Sequence, residues 1–186
     1  MVNKEQRVGV FVDIQNMYYS ARHLYNAKVD FRALLRDAVQ GRKLVRAIAY
    51  AVKAGEKDED TFYKALTAIG YEVRLKELQV FIGGAKKADW DIGIAMDAIE
   101  QAPKLDTVIL VSGDGDFIPL VEHLRRALGC RIEVMAFGRS ASSKLIETAD
   151  QFTDLDHGKY ILASTKRTTM TRSSNVAKPQ EEKTTV

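Results

Sequence analysis

The stretch "VILVSGDGDFIPL", residues 108–120, joins two things that seldom go together. A short apolar, β-branched run suited to a buried strand stops at Ser112-Gly113. Two aspartates then follow with one glycine between them. Like charges that close repel, and each raises the other's pKa. Asp114 and Asp116 are therefore either solvated caps or the walls of a place where something positive sits. A second run, "VGVFVD", ends in the same way at Asp13.

Between and beyond these runs, strand and helix patterns alternate. Residues 7–14 read as a strand and 16–26 as a helix, and Asp30 caps a second helix over "FRALLRDAV". Residues 43–52 read as a strand. Spacing at Phe62, Leu66 and Ile69 places a helix over 56–69, with Gly70 as its stop. Residues 71–78 alternate apolar and charged side chains, as a half-exposed strand near a sheet edge would. A loop, "VFIGGAKK", leads into a helix over 89–101 whose core-facing stripe reads as Ile92, Ala95, Met96 and Ile99. A strand over 107–112, a helix over 117–128, a strand over 131–137, a short helix over 142–148 and an extended piece over 152–155 complete the pattern. Such alternation predicts an α/β domain, a parallel sheet covered on both faces by right-handed crossovers.

Composition sets limits rather than a function. A chain of 186 residues, 46% hydrophobic and 28% charged, suits one domain with a sizeable core. That domain is expected over residues 1–160, with a disordered, basic, Ser/Thr-rich tail over 161–186. From Ser164 the tail carries five Lys or Arg against two Glu, which accounts for the formal net charge of +3 and leaves the domain near neutral. The single cysteine, Cys130, allows no internal disulfide and no cysteine zinc site, and reads as a small buried strand residue. No apolar leader precedes the first strand and no stretch is long enough to cross a bilayer. A cytoplasmic protein without membrane contact is expected.

In an open parallel sheet, ligands bind beyond the carboxyl ends of the strands, where the strand order reverses. Asp13, Asp114 and Asp116 all stand at such ends, and Asp89 and Asp91 open a helix that follows. Each acid has a simpler reading. Asp89 and Asp116 suit helix N-caps, Asp114 an ordinary turn, and Asp97 a solvated helix position. Asn16 suits either the cap of the first helix or a hydrogen-bond partner of Asp13. Asp13 resists a simple reading, because a carboxylate directly after "VGVFV" loses its water unless something compensates.

Hard divalent cations such as Mg²⁺ or Mn²⁺ take carboxylate oxygens, and two-metal phosphodiester hydrolysis shares such carboxylates between ions. Gly113 and Gly115 let the backbone turn sharply there. Other chemistries find less support. There is no P-loop motif, and His23, His123 and His157 are scattered. An aspartyl-nucleophile phosphatase wants a second acid two places after Asp13, where Gln15 stands.

Four segments, "VFVDIQN", "KKADWDIGIAMDAI", "VILVSGDGDFIPLVEHLRRALGCRIEVMAFG" and "SSKLIETADQFTDL", resemble in this order the NYN domain, a branch of the PIN-like nuclease group, in its bacterial LabA-like subset. The resemblance spans residues 8–155. It implies a Rossmann-like three-layer α/β/α sandwich with strand order 3-2-1-4-5, a Mg²⁺ or Mn²⁺ site, and cleavage of RNA. By the same resemblance the catalytic and metal-binding acids fall on Asp13, Asp91, Asp114 and Asp116, with Asp89 a rival to Asp91. Asn16 supports Asp13, and Ser112 belongs to the same turn.

Lys86, Lys87, Arg139 and Lys144 flank these acids and are expected to contact RNA phosphates, which position a nucleic acid without reading its sequence. Trp90, Tyr18 and Tyr19 are candidates for base stacking, with at least one packing on the core instead. A second function class uses the same pocket without catalysis, as a regulatory module that binds RNA, a nucleotide or a protein partner. A homodimer suits a domain of this size, although no stretch marks an interface.

Overall fold

The computed structural model describes residues 3–53, 55, 58–80, 86–87 and 89–162, with backbone alone for 79–80 and 86–87. The residues of the basic tail from 163 onward lie outside this set.

β1 (Arg7–Asp13) leads directly into α1 (Ile14–Tyr25). A two-residue strand β2 (Lys28–Val29) precedes α2 (Phe31–Val39), which Asp30 caps by accepting from the N–H groups of Arg32 and Ala33 at 3.0 Å. β3 (Lys43–Lys53), α3 (Glu59–Ile69) and β4 (Glu72–Glu77) follow. Gly70, at φ 118°, ends α3 in a conformation that only glycine adopts without strain. The expected start of that helix, residues 56–57, lies outside the described residues. The ends of the expected "VFIGGAKK" loop pair as a small antiparallel ladder, β5 (Gln79–Val80) with β6 (Lys86–Lys87). Next come α4 (Asp91–Gln101), β7 (Thr107–Val111), α5 (Ile118–Arg126), β8 (Arg131–Ala136), α6 (Ser143–Thr148) and β9 (Gln151–Asp154). β10 (Ile161–Leu162) closes the described chain by pairing antiparallel with β2.

The main sheet is parallel throughout, in the order β4-β3-β1-β7-β8-β9. Counting only its own strands along the chain, this is 3-2-1-4-5 with a sixth strand added beyond the fifth. The strands alternate between two cores. Val8, Val10 and Val12 of β1 face one core with α1, α2 and α3; Phe11 faces the other with Ile94 of α4, Leu120 of α5 and Leu145 of α6. Both faces are dry, which is why the central strands read as unbroken apolar runs.

Half of the stripe assigned to α4 is overturned: Ala95 and Ile99 pack, partly buried, against the core, but Ile92 and Met96 do not. Ile92 and Met96 are 77% and 62% exposed, while Ile94, Asp97, Ala98 and Gln101 face the sheet. Asp97 is not solvated. It accepts from Tyr50 Oη at 2.7 Å and pairs with Arg74 at 2.6 Å, and this contact sets the rotation of the helix. Hydropathy alone turns the helix away from this face, because it scores a carboxylate as outward.

At the other end of the sheet, Arg42 and Glu133 form a buried two-pronged pair at 2.9 and 2.8 Å. Arg42 also donates to the carbonyls of Ala38 and Val39, fastening the end of α2 over β8. Without Arg42, the buried Glu133 keeps only the partly exposed Arg131, whose Nε donates to it at 3.1 Å, and one of its oxygens loses its partner. Arg42→Ala is therefore expected to lower the unfolding free energy by about 3 kcal/mol in urea titration.

Candidate functional site

The connections that follow β1 and β7 lead to opposite sides, toward β3 and β8, and a crevice opens beyond the C-terminal ends of the two strands. It measures about 330 Å³ and is lined by Asp13, Gln15, Asn16, Tyr19, Asp89, Trp90, Asp91 and Asp114. Its floor follows from sheet register. Asp13 pairs with Tyr50 and Tyr50 with Arg74, so the period of two turns all three toward α4.

Asp13, the last residue of β1, is 9% exposed and caps α1, accepting from the Asn16 N–H at 3.0 Å. Asn16 is thus not the cap. Its own side chain reaches across the switch point to accept from Gly113 N–H at 3.0 Å. Ser112, fully buried, lies with Oγ 3.5 Å from Asp13 and accepts from Asp114 N–H at 3.2 Å. These contacts tie the two strand ends together.

The glycines of "SGDGD" serve packing here. A Cβ on Gly113 would stand 3.0 Å from the Ala141 backbone, and one on Gly115 would stand 3.0 Å from Ser142 Oγ. The turn can then press against the loop that precedes α6. Asp114 is the cap of the short 3-10 turn Gly115–Phe117, accepting from Asp116 N–H at 2.9 Å. Asp116 does not cap α5: Phe117 holds the cap position, without a side-chain cap bond, and the Asp116 carboxylate is exposed. The turn reading of Asp114 holds, and the cap reading of Asp116 does not.

α4 likewise starts without a side-chain cap, at Trp90, so Asp89 does not hold the cap position. Asp91, the first residue of α4, comes close to the β7 turn. One carboxylate oxygen from each of Asp91, Asp114 and Asp116 falls within 4.8 Å of the others. Asp13 sits beneath this group and Asp89 beside it. Among the described residues, no Lys or Arg pairs with Asp13, Asp91, Asp114 or Asp116, whereas Arg74, the nearest strand-borne cation in the row, is committed to Asp97.

Electrostatics register that arrangement. Burial, with the charges of Asp91 and Asp114, pushes the Asp13 carboxyl up to about 6 against the hydrogen bond from Asn16. Burial also raises Asp91, helped by Asp114, Asp89 and Asp116.

The flanking residues divide. Trp90 packs on Tyr50 and donates from its indole N–H to Ala51 O at 2.9 Å, with the Lys76 ammonium 5.7 Å from its ring. Lys76 Nζ also donates to Asp89 O at 3.0 Å. Tyr18 and Tyr19 stay exposed. Lys144 is exposed on α6, whose start abuts the Asp114 turn. Arg139 lies toward the far end of α1, with its guanidinium 5.7 Å from the Tyr25 ring. The side chains of Lys86 and Lys87 lie outside what the structure describes. His23, His123 and His157 are exposed, and Cys130 is buried. No helix among the described residues is long and apolar enough to cross a membrane.

Sequence reading missed the Arg74–Asp97–Tyr50 bridge behind the crevice. Its signal lies in the charged face of residues 72–76, which alternation alone assigns to solvent.

Two outcomes follow from this geometry. The raised carboxyl of Asp13 favours the protonated native state, so its share of stability is complete below about pH 4 and is lost as pH rises through about 6. In metal-free buffer, Asp13→Asn should stabilise the protein by about 3 kcal/mol at pH 7.5 and by almost nothing at pH 4, read by thermal melts across pH. Asp97→Ala leaves the buried Tyr50 hydroxyl without its acceptor, while the 39% exposed Arg74 regains water, and should cost roughly 2 kcal/mol in denaturant titration.

Comparison with known proteins agrees with this architecture. The chain is 29% identical over 175 residues to the low amplitude and bright protein LabA of Synechococcus elongatus, covering 90% of this chain and 93% of that one. A crystal structure of a protein of unknown function from Vibrio parahaemolyticus superposes with a TM-score of 0.80 at 36% identity, over 87% of this chain and 99% of that one. The profile of the NYN domain matches residues 7–156. With that profile spanning nearly the whole described fold, the chain belongs to the NYN domain family of the PIN-like nuclease group, among LabA-like proteins.

Proposed function

We propose that the protein is a metal-dependent ribonuclease that hydrolyses RNA phosphodiester bonds at the crevice between β1 and β7. The observation that carries this reading is the group of carboxylates of Asp91, Asp114 and Asp116, drawn together above a buried Asp13 with no described cation paired to them. Membership of the PIN-like group gives it a chemical context.

The donor set fits a hard divalent cation, Mg²⁺ or Mn²⁺, which favours carboxylate oxygens and keeps sites open for water and phosphate. Asp91, Asp114 and Asp116 would hold it, with Asp13 beneath and Asp89 as a further oxygen source. Such an ion supplies positive charge to polarise a phosphate oxygen and to acidify water.

The rest of the chemistry belongs to the chain. Asp13, whose carboxyl titrates near 6 without an ion, is placed to accept a proton or orient a water near neutral pH. Asn16 and Ser112 hold its strand end against the Asp114 turn, which keeps the carboxylates in register. Lys144 at the rim is proposed to meet RNA phosphates, and Lys86 and Lys87 are assigned the same role from their place before α4. Arg139 would meet a phosphate only further along the strand, away from the carboxylates.

Labelled RNA incubated with purified protein and Mn²⁺ or Mg²⁺ tests the reading. Asp114→Asn should lower cleavage roughly 100-fold or more, since several kcal/mol of charge stabilisation is removed. Equal cleavage by both proteins would mean a contaminating nuclease and overturn it. Mn²⁺ should also raise the melting temperature more at pH 7.5 than at pH 5, because protons compete for Asp13 and Asp91. Metal-dependent stabilisation without turnover of any RNA would favour the non-catalytic, regulatory use of the pocket.

A further inference from the structure

We propose that the outer face of α1 is a stacking track for single-stranded RNA entering or leaving the crevice, with Tyr19 as its first platform. The inference rests on the ribonuclease reading of the crevice and adds the form of the substrate and the residues that select it.

α1 starts at the crevice, and Gln15 and Tyr19 line it. Spacings of three, four and seven residues place Gln15, Tyr18, Tyr19 and Arg22 on one side of the helix, spanning about 10 Å along its axis. Tyr19 is 62% and Tyr18 41% exposed, with ring centroids 5.5 Å apart in an edge-on arrangement. Two large neighbouring rings left in water beside an open cleft form a surface that awaits a partner.

Arg22 indicates which partner. It donates to the Tyr18 hydroxyl at 2.6 Å, and its guanidinium carbon lies 5.8 Å from the Tyr18 ring centroid. Among the described residues it pairs with no carboxylate, so its charge remains available to a ligand. Further along, Ser140 and Ser20 meet at 2.9 Å and hold the loop carrying Arg139 beside α1. Arg139 stands over Tyr25 there, near Asp156, which accepts from both Tyr25 Oη and Arg139 N–H.

A ligand that fits this face presents flat π surfaces and negative charge together, and continues into a crevice suited to phosphodiesters. An unpaired nucleotide chain does both. A duplex keeps its base faces stacked inside and cannot use the rings. Tyr19 is therefore a substrate-positioning residue, separate from the carboxylates.

The test compares binding of fluorescein-labelled oligouridylate and of a blunt RNA duplex by anisotropy, in the Asp114→Asn background with Mn²⁺ present. Adding Tyr19→Ala should weaken single-strand binding roughly 10-fold, within the range set by base–aromatic stacking. Tyr19→Phe should stay within about 2-fold because it keeps the ring. Duplex binding should be weak and unchanged by either. Melting temperatures should match the parent, since the ring packs against little. In the otherwise native protein, Tyr19→Ala should raise KM for RNA and leave kcat alone.

Equal affinity of parent and Tyr19→Ala for the single strand overturns the track. So does a duplex that binds as well as the single strand. If the native protein cleaves RNA and Tyr19→Ala cleaves it identically, the ribonuclease reading stands and the track falls. If Tyr19 governs single-strand binding but no metal supports cleavage, the track stands and the catalytic reading falls.

Discussion

Everything in this fold turns on the handedness of its crossovers. Parallel strands are joined by right-handed connections, so the direction in which strands are added decides which face their helices cover. The chain first adds β3 and β4 to one side of β1, laying α1, α2 and α3 on one face. It then returns to the other side of β1 with β7, β8 and β9, and α4, α5 and α6 must lie on the opposite face. The connections after β1 and β7 part toward opposite sides, and the crevice opens where they diverge.

Charge is distributed around that gap in a definite way. The row Arg74, Tyr50, Asp13 crosses three strands toward α4, and the one cation in it is bound to Asp97 from above. That bridge fastens α4 to the sheet and brings its first residue, Asp91, to the Asp114 turn. The carboxylates at the switch point are left close together, partly desolvated and without a described basic partner, and burial raises Asp13 and Asp91 accordingly. A carboxylate cluster of this kind favours the approach of a cation.

Much of this could be read in the residues. The apolar runs ending at Asp13 and Val111 named the two central strands, and helical spacing with Asp30 and Gly70 as punctuation named α2 and α3. The motifs around Asp13, Asp91 and Asp114 carried the family and with it the sheet order. Hydropathy failed at α4, because its rule treats Asp97 as solvent-facing and Ile92 and Met96 as buried, whereas the structure does the reverse. The short pairs β2–β10 and β5–β6 escaped notice because two residues carry no periodicity.

Local sequence carries the alternation of strands and helices and the two strands that end in acid. These follow from local rules: side-chain period, capping and turn residues, and the cost of burying a lone carboxylate. Only the tertiary structure decided which carboxylate does what. Asp114 caps the 3-10 turn while Asp116 stays exposed, and Asp97 pairs with Arg74 to lock a helix while Asp91 faces its fellow acids. Those assignments depend on which side chains meet across the sheet, and contacts between residues dozens of positions apart leave no local trace in the chain.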